Sequence, residues 1–191
     1  MRFAWLGVGS AFATANNQTN VVLVKGDQHL LIDCGTTASR ALADLGRTPF
    51  DIQNILPTHS HADHIGGLEE LALKTRYLLP MIRGAEKGTL RPRCVVTEEY
   101  QSYLWNFSLR GGLAFSEQMM EGGAPREMQF EDYFEPVRPQ LVEGFERPVY
   151  RAEIGEIELV MMRTKHIPEE VTSWRDSFWS CGLVIDGRVV Y

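Results

Sequence analysis

The chain has 191 residues, of which 44% are hydrophobic and 23% charged, and its formal net charge at pH 7 is −6. Length and apolar fraction together predict a single domain over residues 1–191 with a substantial core. The acidic balance argues against extended nucleic-acid binding, so a small molecule or a nucleotide is the expected partner.

The first half of the chain is predicted to alternate strands with helices. The N-terminus resembles a signal peptide in outline, but two glycines and a serine break its apolar run, and its residues alternate as in a strand. The expected elements are strands at 2–8, 19–25 and 29–33, a helix at 37–45, a short buried strand within 51–57 and a helix at 66–77. This order favours strands packed against helices.

The second half is predicted to return to strands. Thr97 is a plausible N-cap for a helix that ends at Gly111 and Gly112. Residues 113–147 are polar and methionine-bearing, and their pattern favours neither helix nor strand. Asp186 and Gly187 form a strong hairpin signal. Further strands are expected at 92–96, 149–154, 157–163, 178–185 and 188–191. Strands grouped at both ends with helices between them predict a layered α/β or α+β domain.

The cysteines bear on the cellular location. Cys34, Cys94 and Cys181 are odd in number, far apart and placed in apolar stretches. Such a pattern is typical of reduced thiols rather than of a disulfide framework. No apolar run is long enough to span a membrane. We therefore expect a cytoplasmic protein.

Three of the five histidines fall within six residues, in the segment "PTHSHADHIGG". On an extended segment, the spacing of His59 and His61 points both side chains the same way. Asp63 and His64 follow where the chain is predicted to turn into a helix, which can bring them towards the same point. Imidazole and carboxylate groups are ligands that Zn²⁺ and similar cations prefer. The cluster predicts a site for two metal ions, and the alternative is a solvated polar loop.

The same segment carries a resemblance to a known family. "THSHADHIGG" resembles the metal-binding signature of the metallo-β-lactamase superfamily, and "WLGVGSAF", "TNVVLV" and "LLIDCG" precede it in the order seen in the ribonuclease Z-like and phosphodiesterase branch. "RTKHIPEE" followed by "FWSCGLVIDGRVVY" is similar to the segment that brings the next metal-binding histidine. The resemblance covers most of residues 1–80 and 149–191. It implies an αββα four-layer sandwich of the metallo-β-lactamase type.

The resemblance also implies roles for particular residues. His59, His61 and His166 would hold one ion, and Asp63 and His64 would bind the second and act in catalysis. The two divalent ions would be zinc, with manganese or iron as alternatives. Taken alone, His166 in its polar loop would be a surface histidine, but the upstream motif favours a ligand.

Asp33 at the end of "LLID" resembles the family aspartate that supports the metal site from beside the ligands. A carboxylate that accepts a hydrogen bond from a ligand histidine would fix the tautomer of that ring. The alternative is a turn-forming aspartate before Gly35.

Two ligands of the family pattern have no counterpart in this sequence. The bridging aspartate normally follows the strand that "GRVVY" begins, and the last histidine comes later still; the 191 residues therefore supply five of seven expected ligands. We expect a domain that lacks its C-terminal part. Completion of the site by another chain, as in a homodimer, and a degenerate site with one ion or none are open alternatives.

Three functions follow from these residues. The first is a metal-dependent hydrolase that uses a metal-bound hydroxide at a dinuclear site on a phosphodiester, either a cyclic nucleotide or an RNA end. The second is an acyl hydrolase for lactones or thioesters, and the third is a non-catalytic binding protein with an incomplete site. Substrate choice is expected to depend on residues 78–105 and on the loop after His166, without particular substrate-binding residues being identified. Aromatic side chains in and near these segments could line an apolar pocket or stack on a base, and the alternative, more common for aromatics on a helix, is a place in the core. They are Tyr100, Tyr103, Trp105, Phe107, Trp174, Phe178 and Trp179.

Overall fold

Two main β-sheets form the framework of the computed structural model, which describes residues 1–168 and 170–191. The strands are β1 (Arg2–Gly7), β2 (Asn20–Lys25), β3 (Gln28–Ile32), β4 (Asn54–Leu56), β5 (Arg93–Val95), β6 (Met119–Glu121), β7 (Ala124–Arg126), β8 (Glu135–Val137), β9 (Gln140–Val142), β10 (Val149–Ile154), β11 (Ile157–Arg163), β12 (Cys181–Ile185) and β13 (Val189–Val190). The predicted strand positions at both ends of the chain are therefore confirmed to within a few residues.

The order of strands in the first sheet positions the site. The order is β1-β2-β3-β4-β5-β8, antiparallel from β1 to β3 and parallel from β3 to β8. The second sheet has the antiparallel order β13-β12-β11-β10-β9. Because β3 and β4 are parallel neighbours, the residues that follow them emerge at the same edge of the sheet. Asp33 and the histidine segment therefore become neighbours.

Helices follow the strands of the first sheet. They are α1 (Ala38–Asp44), α2 (Ala62–Ile65), α3 (Leu68–Leu73), α4 (Leu79–Arg83), α5 (Glu98–Leu104) and α6 (Arg110–Leu113). π-helical turns join α3 to α4 at Lys74–Leu78 and α5 to α6 at Trp105–Leu109. Among the described residues, no helix combines the length and the apolar character needed to cross a membrane.

Sequence patterns gave several local features correctly. β10 and β11 have the predicted bounds, and β11 alternates buried and half-buried residues, as a strand with one core face should. The Asp186-Gly187 hairpin is confirmed, with φ of 50° and 63° at its two residues, the conformation that a type I′ turn requires. Thr97 caps α5 as predicted, because its side chain accepts a hydrogen bond from the Tyr100 N–H.

Three predicted element ends are wrong. The helix expected to end at Tyr77 continues to Arg83, because a π-helical turn precedes Pro80 and accommodates its ring. The helix expected to end at Gly111 and Gly112 continues to Leu113, because Leu113 is completely buried and its burial outweighs the cost of about 1 kcal/mol per glycine. The strand expected from residue 178 begins only at Cys181.

One apolar cluster connects the layers. It contains side chains from strands of both sheets and from the helices, including Leu23 of β2, Leu104 of α5 and Leu159 of β11, each fully buried. The predicted layered α/β class is therefore confirmed, and its core lies where sheets and helices meet.

Candidate metal centre

The histidine segment follows β4, and hydrogen bonds fix it at Thr58, directly before His59. The Thr58 N–H donates to Asp33 Oδ1 at 2.7 Å, and the Thr58 hydroxyl lies 3.0 Å from both carboxylate oxygens. On the other side, the Cys181 N–H donates to the Thr58 carbonyl at 3.1 Å, and His59 forms an antiparallel bridge with Ser180. Contacts to both sheets therefore restrict where the histidines can point.

His59, His61 and His166 bring three imidazole rings together. One nitrogen of each ring lies within 4.8 Å of the others, and His59 Nε2 and His61 Nδ1 are 3.1 Å apart. His59 is buried, whereas the other two are exposed. Converging nitrogens with one open side are the ligand pattern of a divalent-cation site. The structure thus brings together the three residues predicted for the first ion.

The short helix α2 carries the residues predicted for the second ion. His64 Nε2 lies 3.3 Å from Asp63 Oδ2, and the ring centroid of His64 is 4.0 Å from that of His59. The carboxylate and the imidazole therefore lie beside the three histidines, and both are ligand types that divalent cations accept.

Asp33 is fully buried directly after β3 and contacts the site from behind. Its Oδ2 accepts hydrogen bonds from His64 Nδ1 at 2.7 Å and from the Tyr191 hydroxyl at 3.2 Å. The φ of 61° at Asp33 is a left-handed conformation that aspartate tolerates better than most residues. Because a carboxylate can only accept, the proton of His64 lies on Nδ1 and Nε2 faces Asp63.

Asn20 was missed by sequence reasoning. It is fully buried, its Oδ1 accepts a hydrogen bond from the Gly35 N–H at 2.6 Å, and its Nδ2 donates to the Asp63 carbonyl at 3.5 Å. A Cβ at Gly35 would lie 2.0 Å from the Asp63 carbonyl oxygen, so glycine is required for this approach. Together these contacts fasten α2 to the chain after β3. A polar residue in the valine-rich strand of "TNVVLV" was the available signal.

The environment of the site shifts the pKa values of His59 and His64 in opposite directions. Burial lowers the pKa of His59 to about 3, and the charges of the neighbouring histidines lower it as well. Burial also opposes protonation of His64, but the hydrogen bond and charge of Asp33, with the charge of Asp63, outweigh it and raise the pKa of His64. His59 is therefore neutral at pH 7, with a lone pair available to a cation. The carboxylates make the His64 side of the site favourable for positive charge.

His166 reaches the site from the loop after β11. The Ser177 hydroxyl oxygen accepts hydrogen bonds from the N–H groups of His166 at 3.1 Å and Ile167 at 3.2 Å. Further along, Ser180 forms the bridge to His59. The loop is therefore held at two points: Ser177 binds the backbone at His166, and Ser180 pairs with His59.

A cavity of ≈ 560 Å³ opens beside His61. The rings of Tyr100 and Trp179 stack in its wall, with centroids 5.5 Å apart and planes 12° from parallel. The remaining aromatic lining comes from Tyr103, Phe107 and Phe178. Five of the seven aromatic residues considered for a pocket therefore line one cavity next to the histidine cluster.

The other two aromatic residues lie elsewhere. Trp105 packs in the core against Phe130 and Tyr133, because the helical turn that carries it directs its ring inward. Trp174 contacts the guanidinium groups of Arg163 and Arg175. Trp105 is therefore a core residue, as the alternative had it, and Trp174 lies outside the cavity.

Comparison with known protein sequences identifies relatives. The model of a family described as "Anti-Pycsar protein Apyc1" matches residues 1–191. An Anti-Pycsar protein Apyc1 from Bacillus phage vB_BsuM-Goe3 is 40% identical over 135 residues, which cover 70% of this chain and 46% of the relative. One from Paenibacillus harenae is 30% identical over 170 residues, covering 89% and 61%. The chain spans less than two thirds of the length of either relative.

Comparison with solved structures identifies the fold. The metallo-β-lactamase fold protein YhfI from Bacillus subtilis aligns with a TM-score of 0.60 at 16% identity, covering 98% of this chain and 60% of that one. Human tRNase Z, short form, aligns with a TM-score of 0.58 at 17% identity, covering 97% and 64%. The predicted metallo-β-lactamase fold is confirmed.

Proposed function

Because this chain belongs to the Anti-Pycsar protein Apyc1 family and has the metallo-β-lactamase fold, we propose that it is a metal-dependent hydrolase of phosphodiesters. The observation that carries the proposal is the convergence of the His59, His61 and His166 nitrogens within 4.8 Å of one another. A small cyclic nucleotide is the proposed substrate.

The donor set fits two divalent ions. We assign one ion to the three histidines and a second to Asp63 and His64, whose ligand atoms are 3.3 Å apart. Zinc suits this mixture of nitrogen and oxygen donors, and manganese and iron are the alternatives. Bound ions would neutralise phosphate charge and lower the pKa of a coordinated water.

The chain's own residues organise the reacting groups. We propose Asp63 and His64 as the catalytic pair. His64 Nδ1 donates its proton in a hydrogen bond to Asp33 Oδ2, with the two atoms 2.7 Å apart. Nε2 is therefore the atom of His64 that can bind an ion or exchange a proton. Because Thr58 fixes the buried Asp33 carboxylate, the ring of His64 cannot rotate without breaking its hydrogen bond to that carboxylate.

The aromatic cavity supports a nucleotide as the substrate. A volume of ≈ 560 Å³ suits a small molecule, for which sites of roughly 300–1,000 Å³ are usual. Stacked aromatic walls bind the π-face of a base, and the pair formed by the Ser60 and Tyr100 hydroxyls, 3.2 Å apart, offers polar contacts. The acidic chain suits a small nucleotide better than a long RNA.

The same cavity makes acyl hydrolysis the second candidate function. Its wall is largely apolar, and such a wall would also accept the hydrocarbon part of a lactone or thioester. A direct comparison of substrates tests the choice. The metal-loaded protein is assayed on cyclic nucleotides, bis(p-nitrophenyl) phosphate and a panel of lactones. Hydrolysis of phosphodiesters is expected, and turnover of lactones alone would exclude the proposal.

Substitution of a single ligand tests the metal site. His61→Ala removes an exposed side chain, so the variant should keep the circular dichroism of the folded protein while it loses zinc from the three-histidine site and its turnover. Metal content by mass spectrometry and initial rates measure these effects. His29→Ala, in β3 and outside the cluster, is the control. Wild-type turnover by His61→Ala would contradict the assignment.

We also propose a cytoplasmic location. The three cysteines are free and buried, and burial raises the pKa of both Cys34 and Cys94 to about 12. Buried thiols with raised pKa values are inert, and unpaired cysteines suit a reducing compartment.

A further inference from the structure

Arg163 is a buried cation at the end of β11, three positions before His166 in the sequence. Only 4% of its surface is exposed, and none of the ion pairs found among the described residues includes it. Its guanidinium donates to four backbone carbonyls instead. Nη1 bonds to those of Phe178 (3.1 Å) and Ser180 (3.2 Å), and Nη2 to those of Ser177 (3.2 Å) and Trp174 (3.4 Å).

Two aromatic rings add to these contacts. The guanidinium carbon of Arg163 lies 4.8 Å from the ring centroid of Trp179 and 5.9 Å from that of Trp174, within the range of cation–π attraction. Burying a charge is costly unless its hydrogen bonds are made. The planar guanidinium of Arg163 makes four hydrogen bonds to carbonyls of one segment, residues 174–180. A single side chain therefore holds that segment in its conformation.

Residues 174–180 connect the metal ligands with the cavity. Ser177 accepts the N–H groups of His166 and Ile167, and Ser180 forms the bridge to His59. Phe178 and Trp179, which lie between these two serines, form part of the cavity wall. The carbonyls that Arg163 binds therefore belong to the residues that place a proposed ligand and to those that would contact a substrate.

We infer that Arg163 is a positioning residue that sets His166 and the aromatic wall together. Metal affinity and substrate affinity then depend on one side chain that touches neither metal nor substrate. The substrate half of this inference rests on the proposed function, whereas the metal half requires only that His166 binds the ion.

Two variants test the metal half. Arg163→Lys keeps the charge, but an ammonium has three donors and no planar face, so it cannot make all four carbonyl bonds. Ser177→Ala removes only the hydroxyl that holds the backbone at His166. Each variant is stripped of metal and titrated with zinc against a chromophoric chelator. Zinc affinity should fall by about 10- to 100-fold, as for other groups that orient metal ligands.

The control separates positioning from general destabilisation. Arg151→Lys changes an exposed arginine of the neighbouring β10, which pairs with Glu158, and should leave zinc affinity unchanged. The rise in unfolding temperature caused by zinc is measured for every variant. It should shrink for Arg163→Lys and Ser177→Ala. If both keep the wild-type rise and wild-type zinc affinity, Arg163 has only a structural role and the inference is overturned.

The substrate half is measured at saturating zinc. For Arg163→Lys we expect a higher KM for bis(p-nitrophenyl) phosphate, with a smaller change in kcat, because the wall of Phe178 and Trp179 is displaced. An unchanged KM refutes this half. If the wild-type protein hydrolyses no phosphodiester, the proposed function fails by itself, and the zinc titration still decides the role of Arg163.

Discussion

At the scale of single residues, Asp33 organises the site. Its carboxylate accepts hydrogen bonds from Thr58, His64 and Tyr191 and has no contact with solvent. The sequence indicated that Asp33 supports the metal site, but the choice of His64 as its partner depended on parallel pairing of β3 and β4. The contact with Tyr191 had no signal in the sequence, because the two residues follow strands of different sheets.

Asp33→Asn tests this support. Asparagine tolerates the left-handed backbone at this position, but its amide removes the charge and presents N–H groups to the donors of Thr58 and His64. We expect zinc affinity to fall by about 10- to 100-fold and the free energy of unfolding by about 1–3 kcal/mol. Isothermal titration and urea unfolding measure the two effects, with the exposed Asp27→Asn as control. Unchanged zinc affinity would show that Asp33 does not orient a ligand.

At the scale of elements, the helical segment from Glu98 to Leu113 supplies one wall of the cavity. Tyr100, Tyr103 and Phe107 line the cavity, whereas Leu104 is fully buried. The sequence predicted a helix capped by Thr97, and that part is confirmed. It did not predict the π-helical turn at Trp105–Leu109, because such a turn arises from packing rather than from propensity.

Phe107→Ala tests whether this wall binds substrate. Phe107 is 80% exposed and Phe115, which lies outside the cavity, is 73% exposed, so Phe115→Ala is a matched control. If the ring stacks on a base, its loss should weaken substrate binding by about 1–2 kcal/mol, seen as a higher KM for a cyclic nucleotide. Equal KM values for the two variants would place the base elsewhere.

At the scale of the whole molecule, a salt bridge connects the two sheets. Lys25 at the end of β2 reaches Asp186 in the β12–β13 turn at 2.7 Å and also donates to the Glu156 carbonyl. Asp186 Oδ1 accepts the Glu158 N–H at 2.9 Å. The hydrogen bond from Lys25, with that from Glu158, lowers the pKa of Asp186. One carboxylate therefore stabilises both the hairpin and the packing of the sheets.

Asp186→Asn gives a stability effect that depends on pH. A carboxyl whose pKa is lower in the folded than in the unfolded state stabilises the fold above the unfolded value of about 3.9, and this contribution is lost as pH falls through the folded value. Urea unfolding at pH 7 should show a loss of about 1–2 kcal/mol. The difference from wild type should shrink below about pH 4, and Asp27→Asn should show neither effect. A loss independent of pH would mean that the charge is not responsible.

The sequence by itself determined what depends on residues close together in the chain. Strand alternation, the Asp186-Gly187 turn and the cap of α5 are local and were predicted. The crowding of His59, His61, Asp63 and His64 could be read directly, because a loop between a strand and a helix limits where its side chains go. The element end at Gly112 was wrong because burial of Leu113 outweighed local propensity. The end at Tyr77 was wrong because a π-helical turn carries the helical segment on past Pro80.

Only the tertiary structure decided how residues remote in the sequence join the site. His166 joins the cluster because β11 and β12 carry its loop to the edge where β4 ends. Asn20 fastens α2, and Arg163 gathers the cavity wall, through contacts with backbone atoms that no side-chain pattern in the sequence reveals. The physical reason is that such contacts follow from the packing of all layers at once, whereas a sequence pattern reports only the preferences of neighbouring residues.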